Sequence, residues 1–212
     1  MKRFSELMAG QTLLPIIQAD TVDSGVMTAK AMAAAGLGSV EIVLRTPVSL
    51  EALSAIKQEI PELNVGAGTI LNQEHLSSAL SAGADFIITP AVSASLLQAV
   101  KECGLPAAPG VSTTGEILMA YEAGFKELKL FPAALSGGVK FLSAISSVFQ
   151  AIKFCPTGGV NAQNRHEYLA LNNVFAVGGT WVAQKQWIVQ QNWQAITDAC
   201  RDANSPILQQ SA

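Results

Sequence analysis

The chain has 212 residues, half of them hydrophobic and only 14% charged, with a formal net charge of −3. This composition gives no basic footprint for nucleic acid or an anionic membrane, and no apolar run reaches the roughly 18 residues of a membrane span. The length suffices for one large core and is common among single-domain α/β barrels.

The N-terminus, Met1-Lys2-Arg3-Phe4, begins basic, but the apolar stretch Leu13–Ile17 is too short for a signal h-region and contains Pro15. A cytoplasmic protein is expected. Cys103, Cys155 and Cys200 are odd in number, widely spaced and free of a CxxC pair. That fits reduced thiols and fits neither a disulfide framework nor a zinc site.

Apolar, β-branched runs alternate with alanine-rich helical stretches along the chain. Strands are predicted at Leu13–Ala19, Ser39–Leu44, Asn64–Thr69, Phe86–Pro90, Pro106–Val111, Glu127–Pro132, Ala151–Pro156 and Val174–Thr180. Between them, helices are predicted at Asp23–Ala35, Ser49–Glu59, Gln73–Ala82, Ser93–Glu102, Thr114–Ala123, Gly138–Val148 and Gln163–Leu169, and an amphipathic stretch, Trp193–Arg201, comes last. Asp23, Ser49 and Asn72 stand where N-caps belong. Gly36, Gly83 and Gly124 each follow a helix, where glycine permits a left-handed cap. About eight of each element, alternating, imply a parallel sheet closed into a (β/α)8 TIM barrel spanning 1–212 as one α/β domain. An open doubly wound sheet is the runner-up, although no GxGxxG follows the first strand.

In such a barrel, chemistry gathers at the C-terminal ends of the strands. The sixth predicted strand, Glu127-Leu128-Lys129-Leu130-Phe131-Pro132, carries a lysine in its middle. Strand side chains alternate between faces, so Lys129 shares a side with Glu127 and Phe131, opposite Leu128 and Leu130. Burial favours a neutral amine over an ammonium, and a neutral amine adds to ketones to form a Schiff base. A lysine snorkelling from an edge strand is the plainer alternative.

On the second strand Glu41 alternates with Val43 and Arg45, which aims a carboxylate and a guanidinium at the same interior. Arg45 suits either a substrate carboxylate or a structural pairing with Glu41. Gly158-Gly159 and Gly178-Gly179-Thr180 follow strands seven and eight, where barrels bind phosphate on backbone N–H groups, though each pair also suits a tight turn. Lys153 is a rival nucleophile nearer the strand start. His75 and His166 fall on helix surfaces, so a metal-dependent barrel enzyme is disfavoured.

These residues are similar to a known family. Glu41-Ile42-Val43-Leu44-Arg45-Thr46, Val65-Gly66-Ala67-Gly68-Thr69, Ile88-Thr89-Pro90, Pro109-Gly110-Val111-Ser112-Thr113, Leu128-Lys129-Leu130-Phe131-Pro132-Ala133 and Phe154-Cys155-Pro156-Thr157-Gly158-Gly159 resemble, in order from Leu14 to Trp181, the KDPG/KHG aldolases. These are the 2-keto-3-deoxy-6-phosphogluconate and 4-hydroxy-2-oxoglutarate aldolases. The resemblance implies a metal-free and cofactor-free class I aldolase, a homotrimer acting on a small 2-keto acid. It places the Schiff base on Lys129, the general acid/base on Glu41 and substrate contacts on Arg45, Thr69, Pro90, Phe131 and Thr157. Phosphate contacts fall on Gly158, Gly159, Gly179 and Thr180. Thr89 and Thr180 stand where serine is common, and both keep a hydroxyl. An aldolase for the galactonate-derived isomer, a phosphosugar isomerase or synthase, and a non-catalytic phosphosugar-binding barrel are the alternatives.

Overall fold

A computed structural model describes residues 3–205. A short helix α1 (Phe4–Met8) precedes β1 (Leu13–Ile17), and α2 (Val22–Ala34), β2 (Ser39–Val43), α3 (Ser49–Glu59), β3 (Asn64–Gly68), α4 (Gln73–Ser81) and β4 (Phe86–Ile88) follow. Next come α5 (Ala94–Glu102), β5 (Ala107–Ala108), β6 (Gly110–Val111), α6 (Thr114–Glu122), β7 (Glu127–Leu130), α7 (Gly138–Ile145) and β8 (Lys153–Phe154). The described chain finishes with α8 (Arg165–Leu169), β9 (Val177–Gly179), α9 (Lys185–Val189) and α10 (Trp193–Asn204).

The α/β alternation is as read from the sequence, but the closed eight-stranded barrel is not what forms. The described residues hold nine strands in two parallel sheets. One is a curled six-stranded sheet of order β5-β4-β3-β2-β1-β9, and the other a three-stranded sheet of order β6-β7-β8. Two local causes interrupt closure. The predicted fifth strand is divided at Pro109, which has no N–H to contribute to a ladder, so β5 pairs with β4 and β6 with β7. At the other junction β8 is only two residues long, and its link to β9 is reduced to the isolated bridges Phe154↔Val174 and Thr157↔Gly178.

Period-two alternation sorts the strand residues into two apolar clusters. Leu13, Ile17, Val40, Ile42, Val65, Ile87, Leu128, Leu130 and Val177 face the helices and make the larger core. Leu14, Phe86, Ile88, Ala108 and Cys155 face the concave side, where Phe4 and Met8 of α1 close the cluster. The Phe4 and Phe86 rings lie 4.7 Å apart, and Phe175 meets Phe4 edge-on at 5.9 Å. The backbone N–H of Ser5 donates to Glu127 Oε2 at 2.9 Å, and its hydroxyl donates to Oε1. Helix α1 therefore floors the concave side; its five residues are too few for the periodicity of a sequence reading to register.

Local signals fare unevenly. Asn72 caps α4, accepting from the His75 N–H at 2.8 Å. The cap of α2 is Thr21 and not Asp23, and α3 starts without a side-chain cap, with Ser49 inside its first turn. Gly36, Gly83 and Gly124 take φ of 86°, 89° and 99° in the cap role assigned to them. Among the described residues no helix is long and apolar enough to cross a membrane.

Two predictions follow from this packing. Phe4→Ala should destabilise the fold by about 3–5 kcal/mol, since it removes a fully buried ring, and a urea unfolding midpoint measures it. Burial pushes the Cys155 and Cys200 thiols up to about 12. The folded chain therefore keeps protons that the unfolded chain releases near its ordinary thiol value. Their contribution is intact below that value and is lost as pH rises towards about 12. The urea midpoint should fall across that range, while iodoacetamide at mildly alkaline pH should modify half-buried Cys103 and spare the other two.

Candidate active site

Register places Lys129 and Glu41 before any side-chain contact is considered. Glu41 of β2 lies between Ile16 of β1 and Gly66 of β3, and Lys129 of β7 lies opposite Gly110 of β6. Both side chains point to the concave side, away from Val40, Ile42, Leu128 and Leu130. Lys129 is 4% exposed and Glu41 fully buried. Lys129 Nζ stands 3.2 Å from Glu41 Oε1 and 3.5 Å from Oε2. The same nitrogen lies 5.2 Å from the centroid of the Phe131 ring, within cation–π range.

Glycine makes the room. A Cβ on Gly68 would sit 2.0 Å from Glu41 Oε1, so the neighbouring strand must be bare where the carboxylate lies. Likewise a Cβ on Gly178 would sit 2.3 Å from Thr157 Oγ1. Below the amine, burial holds the Cys155 thiol protonated; Lys129 pulls its value down, and Glu41 pushes it up. A neutral sulfur thus borders the pair and adds no charge to it.

Arg45 does not pair with Glu41. It is exposed at the end of β2, and its Nε donates to Thr69 Oγ1 at 3.2 Å. Thr69 itself holds a φ of +65°, a left-handed conformation uncommon for a β-branched residue and typical of constrained sites. Pro90 lies two residues past the end of β4, half-buried, with its carbonyl carbon packed so closely on Gly110 that a Cβ there would meet it at 2.6 Å.

A cavity of about 160 Å³ opens above Lys129, and Arg45, Phe131, Thr157, Gly158, Gly159, Gly179 and Thr180 also line it. Ile16, Val43 and Val160 supply its apolar wall. Of the residues assigned from sequence, Glu41, Thr69 and Pro90 stand outside the lining, and Glu41 meets the site through its contact with Lys129. Gly158 and Gly159 take φ of 92° and 84°, so the turn after β8 needs glycine on conformational grounds as well as for any ligand. A larger hollow of about 400 Å³ adjoins this one through Ile16 and Thr180, and Trp181 and Lys185 help to line it.

Lys153 is exposed at the start of β8 and donates to the Asn172 carbonyl at 2.6 Å, outside the cavity. His166 is exposed and His75 half-buried, both on helices. No group of three or more His, Cys, Asp or Glu capable of holding a metal ion occurs among the described residues. The parts that sequence reasoning missed are Cys155, Ile16 and Val160, and the spacing role of Gly68. Only the register between β2 and β3 reveals the last of these.

The family model described as KDPG and KHG aldolase matches residues 4–199, beyond both ends of the resemblance read from motifs. The KHG/KDPG aldolase of Escherichia coli K12 is 40% identical over 191 residues, covering 90% of each chain. A 2-dehydro-3-deoxy-phosphogluconate aldolase of Pseudomonas aeruginosa is 40% identical over 201 residues, 95% of this chain and 91% of that one. Among solved structures, KDPG aldolase from Legionella pneumophila, with pyruvate captured at low pH as a covalent carbinolamine, superimposes with a TM-score of 0.93. It is 36% identical, and the match covers 96% of this chain and 99% of that one. With the family model spanning residues 4–199 and relatives 40% identical over nine-tenths of the chain, the chain belongs to the KDPG and KHG aldolase family.

Proposed function

We propose that Lys129 is the Schiff-base nucleophile and Glu41 the general acid/base by which this class I aldolase works. The reaction is cleavage of 2-keto-3-deoxy-6-phosphogluconate to pyruvate and glyceraldehyde 3-phosphate, and of 4-hydroxy-2-oxoglutarate to pyruvate and glyoxylate. The observation that carries the roles is the 3.2 Å contact between a fully buried carboxylate and the amine that lines the cavity.

The proton inventory closes with those two groups. Lys129 passes one proton to Glu41 and adds to the C2 ketone. Glu41 returns that proton as the carbinolamine loses water, leaving an iminium and a free carboxylate. Glu41, through a water molecule, then takes the C4 hydroxyl proton while the C3–C4 bond breaks. Its electrons enter the iminium, the aldehyde departs and an enamine remains. Protonation of the enamine at C3 by Glu41, followed by hydrolysis, frees pyruvate and restores the ion pair.

Arg45 and Thr69 hold the substrate carboxylate, where a charge-assisted hydrogen bond is strongest. Phe131 packs against the reacting carbons beside the amine, Pro90 backs the pyruvyl end and Thr157 meets the substrate from β8. Gly158, Gly159, Gly179 and Thr180 take the phosphate, which the lack of side chains at three of these positions allows to approach the backbone. The enzyme works as a cytoplasmic homotrimer. Free Cys103, Cys155 and Cys200 fit the compartment. Exposed Leu118, Tyr121 and Val148 around one hollow are apolar surface of the kind that subunits cover.

Borohydride reduction in the presence of pyruvate should leave one reduced pyruvate on Lys129, located by peptide mass mapping. An unmodified Lys129, or an adduct on Lys153, refutes the assignment. Lys129→Ala should abolish cleavage and leave the circular dichroism spectrum unchanged. Gly68→Ala should cost roughly tenfold or more in kcat by displacing the Glu41 carboxylate, since misplacements of about an ångström carry such penalties. A coupled assay for pyruvate release measures both.

A further inference from the structure

We propose that Thr89 is a positioning residue for the aldol step: its hydroxyl holds the Lys129 strand in register with the sheet that carries Glu41. The inference rests on Lys129 and Glu41 acting as described above. The two groups lie on different sheets, Glu41 on β2 of the six-stranded sheet and Lys129 on β7 of the three-stranded one. Their distance therefore depends on what joins the sheets, and at Pro109 the backbone ladder is interrupted.

Thr89 spans that interruption. The Gly110 N–H donates at 3.0 Å to Thr89 Oγ1, a side-chain oxygen standing in for a strand carbonyl. The hydroxyl in turn donates to the Ala91 carbonyl at 2.8 Å, so its hydrogen and an acceptor site are both committed and its orientation is set. Thr89 is 2% exposed, and water does not compete for either bond. Gly110 is the register partner of Lys129, and the Lys129 N–H donates to the adjacent Pro109 carbonyl at 2.9 Å. Restraint passes from β4 through one hydroxyl to Gly110 and from there to the lysine backbone. There is no slack, since a Cβ on Gly110 would meet the Thr89 carbonyl oxygen at 2.4 Å. On the far side β8 and the chain after it meet the β9 segment through backbone bonds, from the Phe154 N–H to Asn173, the Phe175 N–H to Phe154 and the Gly178 N–H to Pro156, whereas at this junction the Gly110 N–H is bonded by the Thr89 hydroxyl.

Removing the hydroxyl while keeping the shape tests this. Thr89→Val leaves a buried N–H without a partner and frees β6 to shift, and Thr89→Ala is the second hydroxyl-free variant should the first fail to fold. Thr89→Ser keeps the oxygen. In both hydroxyl-free variants kcat for cleavage should fall about tenfold or more with KM within about threefold. Borohydride trapping of pyruvate on Lys129 should slow in parallel. Thr89→Ser should restore most of the rate. If the hydroxyl-free variants melt earlier but turn over at the wild-type rate per folded molecule, or if Thr89→Ser loses as much as they do, the inference is overturned. A wild-type enzyme that forms no adduct on Lys129 overturns the nucleophile assignment itself, a result distinct from either.

Discussion

The ion pair between Lys129 and Glu41 is the constraint to which the surrounding structure answers. Two opposite charges are held almost out of reach of solvent, an arrangement whose desolvation cost commonly cancels its Coulomb gain. Apolar residues of the same shape would serve stability as well or better. The pair therefore makes sense as chemistry: an amine with a proton acceptor at 3.2 Å, on the floor of a cavity that opens towards Arg45 and the glycine turns. Its neighbours keep the local charge simple. Cys155 stays a neutral thiol, and Arg45 bonds to Thr69 instead of completing a triad with Glu41.

Holding that pair in place takes an unusual share of residues without side chains. Gly68 clears space for the carboxylate and Gly178 for Thr157, while Gly110 allows β6 to press against the end of β4. Pro109 divides what would otherwise be one strand. A packed sheet normally draws stability from side chains on both faces; here several strand ends give up that packing so that polar groups can converge. The stability is recovered elsewhere, on the helix-facing side and beneath the site, where Phe4, Phe86 and Phe175 make an aromatic floor tied to β7 through Ser5 and Glu127. Glu127 and Lys129 lie on the same strand, two residues apart, one bonded to Ser5 of the floor and the other to Glu41.

Lys129 and Glu41 come from two different sheets. A continuous ladder would fix their distance through many backbone hydrogen bonds. At the Pro109 junction one of those bonds is made by the Thr89 hydroxyl, and at the other the segments meet through three backbone bonds. Side chains distant from the substrate acquire influence over geometry at the amine, because small displacements of a reacting group carry large rate penalties.

The alternation of strands and helices and the face that each strand residue takes were legible in the sequence alone. These rest on local rules: period two puts Glu41, Val43 and Lys129 on one side, helical periodicity sets α2 to α7, and Gly36, Gly83 and Gly124 end helices through their own backbone freedom. What only the tertiary structure decided was how the strands join and which polar groups meet. Pro109 looked like one residue of a strand until a neighbouring ladder needed its missing N–H. Helix α1 is too short to show periodicity, and its packing on Phe86 depends on residues 82 positions away in the chain. Arg45 could serve Glu41 or a ligand until its guanidinium was found on Thr69. Contacts of this kind depend on register between distant segments, and register is a property of the assembled sheets that no single segment encodes.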